Sequence, residues 1–106
     1  LEYLSLEFEH EWAEGDFQGT SIMNYTHEDI PFTRITEHKH FEFGTQAKSI
    51  ITREFPLKYD VSKTPYYPVN SPENDALYQK YKEINSNVIF GGRLGGFRYM
   101  DMHQVI

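Results

Sequence analysis

The sequence predicts an α+β fold, an antiparallel sheet of about four to six strands with one main helix. Three observations carry this. Residues 4–12 alternate apolar and polar, as a half-buried strand requires. Residues 49–55 (SIITREF) are rich in β-branched side chains. Ser71-Pro72-Glu73 then has the chemistry of a helix start: a hydroxyl at the cap, proline in the first turn, an acid after it.

In order, Leu4, Leu6, Phe8, His10 and Trp12 form one face of the first strand, and Ser5, Glu7, Glu9 and Glu11 form a wet, acidic one. Ala13 to Asp16 reads as a turn. Residues 17–25 are expected to return as a second strand, making a hairpin with the first. Pro31 biases Ile30 to extended geometry, and Phe32 to Thr36 forms a short strand. Residues 37–43 (EHKHFEF) fit neither period, and Gly44 ends them. The helix after Ser71 carries an apolar stripe at Leu77, Tyr81 and Ile84, with Tyr78 beside it. Val88-Ile89-Phe90 is expected as a buried strand entering Gly91-Gly92. The connections are short except around residues 58–70, where a loop of that length tends to be functional.

The chain has 106 residues, enough for one small domain over residues 1–106. Ten Lys and Arg against sixteen Asp and Glu give a net charge of -6. That disfavours nucleic acid and anionic membrane surfaces as partners. It leaves small anions open, because a local arginine outweighs a distant net charge. There is no cysteine, which excludes disulfides, thiolate metal sites and thiol catalysis. No apolar run approaches the ~20 residues of a membrane span. The opening Leu1-Glu2-Tyr3 does not read as a signal peptide.

Four groups carry candidate chemistry. Gly91-Gly92 after a strand allows close backbone approach to a ligand, and Asp101-Met102 begins a helix whose first amides lack intrahelical partners. The glycine spacing is not that of a dinucleotide fingerprint, and a Gly-Gly pair is most often a simple bend. Arg34 follows an apolar residue in a strand and needs an anionic partner, either a phosphate or one of the carboxylates. Tyr66, Tyr67 and Tyr99 offer hydroxyls, though tyrosines commonly serve as core residues with a wet tip. His38 and His40, two apart with Glu37 or Glu42 nearby, would share a face on a strand, but no third ligand at a sensible spacing is evident and Lys39 stands between them. No metal is expected.

Taken together, several of these pieces resemble one family. Asn24-Tyr25, residues 31–41 (PFTRITEHKHF), residues 51–56 (ITREFP), residues 65–70 (PYYPVN), residues 90–94 (FGGRL) and residues 98–102 (RYMDM) occur in one order. This is similar to the C-terminal portion of bacterial UDP-galactopyranose mutases. The likeness covers nearly the whole chain, while the family's enzymes are much longer. The chain is therefore expected to be a fragment: most of the sheet domain, plus the strand, loop and helix start that return to the flavin.

The resemblance implies a cytoplasmic isomerase that uses reduced FAD to interconvert UDP-galactopyranose and UDP-galactofuranose for polysaccharide biosynthesis. The flavin N5–sugar adduct does the chemistry there, and the protein supplies position and charge. Carried over by motif, Arg34, Tyr99 and Asp101 are the catalytic candidates. Asn24, Arg34, Tyr67 or Tyr66, and Tyr99 would bind the substrate, with Arg34 and the tyrosine hydroxyls on its diphosphate. Gly92, Arg93, Asp101 and Met102 would meet the flavin. Phe97 stands where the family is expected to carry tyrosine. The last stretch is expected to present Arg93, Tyr99 and Asp101 as an exposed, unsatisfied cluster. Two other readings stand beside this one: a non-catalytic module binding a sugar nucleotide or glycan, and a homo-oligomer joined through exposed apolar surface.

Overall fold

The computed structural model describes residues 1–84 and 86–106. Among them run strands β1 (Tyr3–Glu14), β2 (Ile22–Asn24), β3 (Arg34–Glu37), β4 (Lys48–Lys58) and β5 (Tyr67–Pro68). Helices α1 (Pro72–Lys82), α2 (Gly92–Gly95) and α3 (Met102–Val105) follow, and a 3₁₀ turn spans His38–Glu42. The strands form one sheet in the order β2-β3-β4-β1-β5. The fold is α+β, as the alternation and the Ser71 cap predict. No described helix is long and apolar enough to cross a membrane. The chain divides into two compact units, residues 6–56 and residues 1–5 with 57–106.

In the first unit, β3 pairs antiparallel with both β2 and β4. Directly opposed residues share a face, so the register sorts side chains into rows. Ile35 faces Arg53, and Glu37 faces Ile51. This is the core face, where Ile35, Ile51, Ser49 and the carboxyl-bearing Glu37 are all buried. Thr36 faces Thr52 and Arg34 faces Glu54 on the opposite face, which is open at Arg34 but covered at the buried Thr52.

A fully buried glutamate needs partners. The Phe17 and Gln18 amides donate to its two oxygens at 3.0 and 2.9 Å. Lys39 Nζ stands 3.8 Å from Oε1, and His40 Nε2 stands 3.3 Å from Oε2. Burial alone would raise the Glu37 pKa. The two amides, the nearby Ser49 hydroxyl and His40 outweigh it and bring the group down to about 2. Ser49 Oγ lies outside hydrogen-bond geometry, so the amides carry most of this.

The same carboxylate explains a difference from the sequence expectation. Residues 17–25 do not form a hairpin with β1. Phe17 and Gln18 spend their amides on Glu37, and Gly19 turns through a φ of 74°. Only Ile22–Asn24 remain as strand, and they pair with β3. The faces of β1 also differ. Glu11 joins Arg53 at 2.9 Å on the core side, while Trp12 is 70% exposed on the open side. The ambiguous residues 37–43 split into the end of β3 and the 3₁₀ turn.

In the second unit, β5 pairs with the start of β1, Tyr67 facing Leu4. Ser71 caps α1 by accepting from the Asn74 amide at 3.2 Å, an interaction worth about 1 kcal/mol. Asn74 is buried and donates to Val69 O and Glu2 Oε2. Phe97, at φ 47° and 2% exposed, anchors this unit. It stacks on Tyr78 and meets Tyr3 edge-on. Leu77, Tyr81 and Ile84 are exposed rather than core. Val88-Ile89-Phe90 is likewise neither strand nor buried; Ile89 is 96% exposed. An apolar run becomes a strand only beside a partner, and no described strand pairs with it.

Replacing Glu37 by Gln puts an amide N–H against one of two backbone donors and should lower unfolding free energy by roughly 2 kcal/mol. The pH sign follows from the depressed pKa. The stabilisation is fully present above the ordinary carboxylate value of 4.5 and is lost as pH falls from there toward about 2. Urea midpoints measured across that window should fall steeply for the native chain and less steeply for Glu37→Gln. Parallel curves would contradict this.

Candidate functional site

The β2–β3–β4 register sets one row across three strands: Asn24 faces Arg34, and Arg34 faces Glu54. The row lies on the open face. Arg34 Nε donates to Asn24 Oδ1 at 3.0 Å, and Nη1 approaches Glu54 Oε2 at 3.5 Å. Neither contact uses Nη2. The Arg34 side chain is 37% exposed and that of Glu54 only 15%. The guanidinium is thus aimed by one short bond and one long one, and it still faces solvent. A planar guanidinium held this way is pre-organised for an anion that presents two oxygens, such as a phosphate. Glu54 was not a sequence candidate. Its signal is the pairing of residues 34–37 with 51–54, visible only once the register is known.

One row along, Thr52 Oγ1 is met by His10 Nδ1 at 2.8 Å and by His38 Nε2 at 2.7 Å. The hydroxyl has one proton to give, so at least one of the two rings donates an N–H to Thr52 Oγ1. His38 and His40 therefore do not share a face. The 3₁₀ turn sends His38 to Thr52 and His40 to Asp16, at 2.9 Å.

The remaining candidates belong to the second unit. Tyr66 is exposed and Tyr67 half-buried. Gly91 and Gly92 have open space where a side chain would project, and Gly92 sits at φ 71°. Arg93 donates from Nε to Met100 O at 2.5 Å, and its guanidinium lies 4.3 Å from the centre of the Tyr99 ring. Tyr99 is 62% and Met102 84% exposed, and Asp101 is exposed. The cluster is open to solvent, as expected. It is not unsatisfied: Arg93 is paired with Tyr99 and Met100, and the Asp101 amide donates to Gln104 Oε1 at 2.8 Å. Separately, an apolar groove of about 520 Å³ is lined by Tyr3, Tyr78, Tyr81 and Phe90.

The family model for UDP-galactopyranose mutase matches residues 1–99. The chain belongs to the UDP-galactopyranose mutase family. It is 40% identical to a probable UDP-galactopyranose mutase of Klebsiella pneumoniae, over all of this chain and 29% of that protein. It is 39% identical to a dTDP-fucopyranose mutase of Escherichia coli, again over the whole chain and 29% of the relative. A UDP-galactopyranose mutase of Mycoplasma genitalium is 30% identical over the whole chain and 28% of its own length. The chain thus spans less than a third of these family members.

The Asn24 contact to Arg34 can be tested directly. Asn24→Ala should raise the exchange rate of the Arg34 Nε–H with solvent about fivefold, the equivalent of one neutral hydrogen bond near 1 kcal/mol. An unchanged rate in ¹⁵N-resolved exchange spectra would mean that Asn24 does not hold the guanidinium.

Proposed function

We propose that this chain supplies the diphosphate-binding arginine and a flavin-contacting stretch of a mutase that interconverts UDP-galactopyranose and UDP-galactofuranose. The observation that carries the proposal is the Arg34 row: a half-exposed guanidinium aligned by Asn24 and Glu54, with Nη2 in neither contact. As UDP leaves, negative charge grows on its diphosphate. A guanidinium already aligned for that charge stabilises the transition state more than the ground state. The family resemblance assigns the hydroxyls of Tyr67 or Tyr66 and of Tyr99 to substrate binding as well. The relatives' names include both a UDP and a dTDP sugar. The diphosphate is common to both, so Arg34 serves either.

The residues toward the flavin fit such a group. The Gly91-Gly92 backbone is open to a flat ring, Arg93 already lies on an aromatic face, and Asp101 and Met102 are exposed. Gly92, Arg93, Asp101 and the Met102 backbone would hold the FAD. Reduced FAD, when bound, supplies the nucleophile that displaces UDP. Arg93 and Asp101 would position it, Arg34 would bear the leaving diphosphate, and by resemblance Tyr67 and Tyr99 would act on the substrate. The reaction is expected in the cytoplasm, with a soluble nucleotide sugar as the partner. The isolated chain is expected to be inert, since it spans under a third of the relatives' length.

In the longer polypeptide that carries this segment, Arg34→Ala should lower kcat by about 10² to 10³, the loss typical of one pre-organised donor to a developing anion. Turnover at the native rate would remove the diphosphate role. Separately, this chain mixed with reduced FAD and UDP-galactopyranose should give no furanose product by chromatography. Product formation would overturn the assignment of catalysis to the longer protein.

A further inference from the structure

We propose that Asp16, Glu37 and His40 form a binding site for a divalent transition ion of the Zn²⁺ type. Sequence spacing offers no third ligand for His40 and Glu37. The fold supplies one from the turn after β1. His40 Nε2 lies 2.9 Å from Asp16 Oδ1 and 3.3 Å from Glu37 Oε2. One ligand atom from each of the three residues lies within 4.8 Å of the others. A tetrahedral Zn²⁺ with nitrogen and oxygen ligands at about 2.0–2.2 Å spaces them about 3.3–3.6 Å apart. The two separations from His40 Nε2 are close to that spacing, and the two carboxylate oxygens lie within 4.8 Å of each other.

Both atoms facing Nε2 are carboxylate oxygens, so Nε2 carries a proton in this arrangement. The ion takes that proton's position. Nε2 then gives its lone pair to the metal, and the proton moves to Nδ1 or to solvent. One imidazole with two carboxylates suits Zn²⁺, Co²⁺ or Mn²⁺, whereas Mg²⁺ and Ca²⁺ prefer all-oxygen shells.

An independent feature sits beside the site. Ser49 is 2% exposed, and its Oγ has no hydrogen-bond partner. It lies beside the Glu37 carboxylate without reaching hydrogen-bond geometry. A buried hydroxyl left over beside a carboxylate is suited to orienting that carboxylate once a metal occupies Oε2. Lys39 is the opposing charge. It stands 3.8 Å from Oε1, the other oxygen, and its ammonium is tied to Gly15 O and Gln46 O at 2.6 and 3.4 Å. Oε2 keeps the Gln18 amide on one side, at 2.9 Å, and offers the ion the side that His40 Nε2 now faces. Binding there would clamp the residue 16 turn to the 3₁₀ turn.

The test is a calorimetric titration of ZnCl₂ into this chain, with imidazole ¹⁵N spectra of its five histidines. The expected result is one ion per chain, with the His40 nitrogens shifting. Asp16→Asn is the informative variant. Asp16 is exposed, and an amide oxygen keeps its hydrogen bond to the Gly19 amide. It should weaken binding about tenfold or more, while His10→Gln leaves it unchanged. Absence of binding overturns the proposal. So does binding that Asp16→Asn leaves intact, or spectral shifts confined to other histidines.

Discussion

The buried carboxylate of Glu37 is the constraint on which the first unit depends. In a strand, a slip of one residue sends every side chain to the other face. The four residues of β3 would tolerate such a slip on hydrophobicity alone, since only Ile35 among them is strongly apolar. Glu37 removes the ambiguity. Its oxygens must reach the Phe17 and Gln18 amides, and the penalty for burying it elsewhere without them is large. With Glu37 and Ile35 fixed on the core face, Arg34 falls on the open one. The structural anchor and the arginine proposed to bind the diphosphate are thus the two ends of one short strand.

This resolves an apparent conflict between a net charge of -6 and an anionic ligand. Charge acts locally through geometry. Glu54 sits opposite Arg34, yet its 3.5 Å approach is long for a charge-assisted bond. It orients the guanidinium without saturating it. The shorter bond is to Asn24, a neutral acceptor that aims the fork and leaves its charge intact. A tight bidentate pair with Glu54 would have made the same arginine a structural residue.

Much of the fold was legible where a local rule was strong. The Ser71 cap, the β-branched run in β4 and the antiparallel architecture follow from residue chemistry over a few positions. The errors have one physical source: partners distant in sequence. Residues 17–21 read as strand because nothing local says that Glu37 will take their amides. Val88-Ile89-Phe90 reads as strand because it is apolar and extended, but strand formation needs a neighbour. On the site side, the need of Arg34 for an anionic partner was visible, while Glu54 was not. The convergence of His10 and His38 on Thr52 was hidden as well, because the 3₁₀ turn breaks the period-two geometry that would pair His38 with His40. The roles of Arg93, Asp101 and the tyrosines came from family resemblance rather than from spacing. The structure adds that Arg93 is already engaged by Tyr99.

Arg34 is proposed to recognise the diphosphate through a planar, pre-aimed fork and not through charge alone. Arg34→Lys separates the two, because lysine keeps the charge and loses the fork. The decisive measurement is the UDP dissociation constant of the longer polypeptide carrying Arg or Lys at this position, at fixed ionic strength. The account predicts an affinity about tenfold weaker or more for the lysine form, from the loss of one charge-assisted bond. Equal affinities would show that the Asn24–Arg34–Glu54 row contributes charge and nothing further, and would contradict the account.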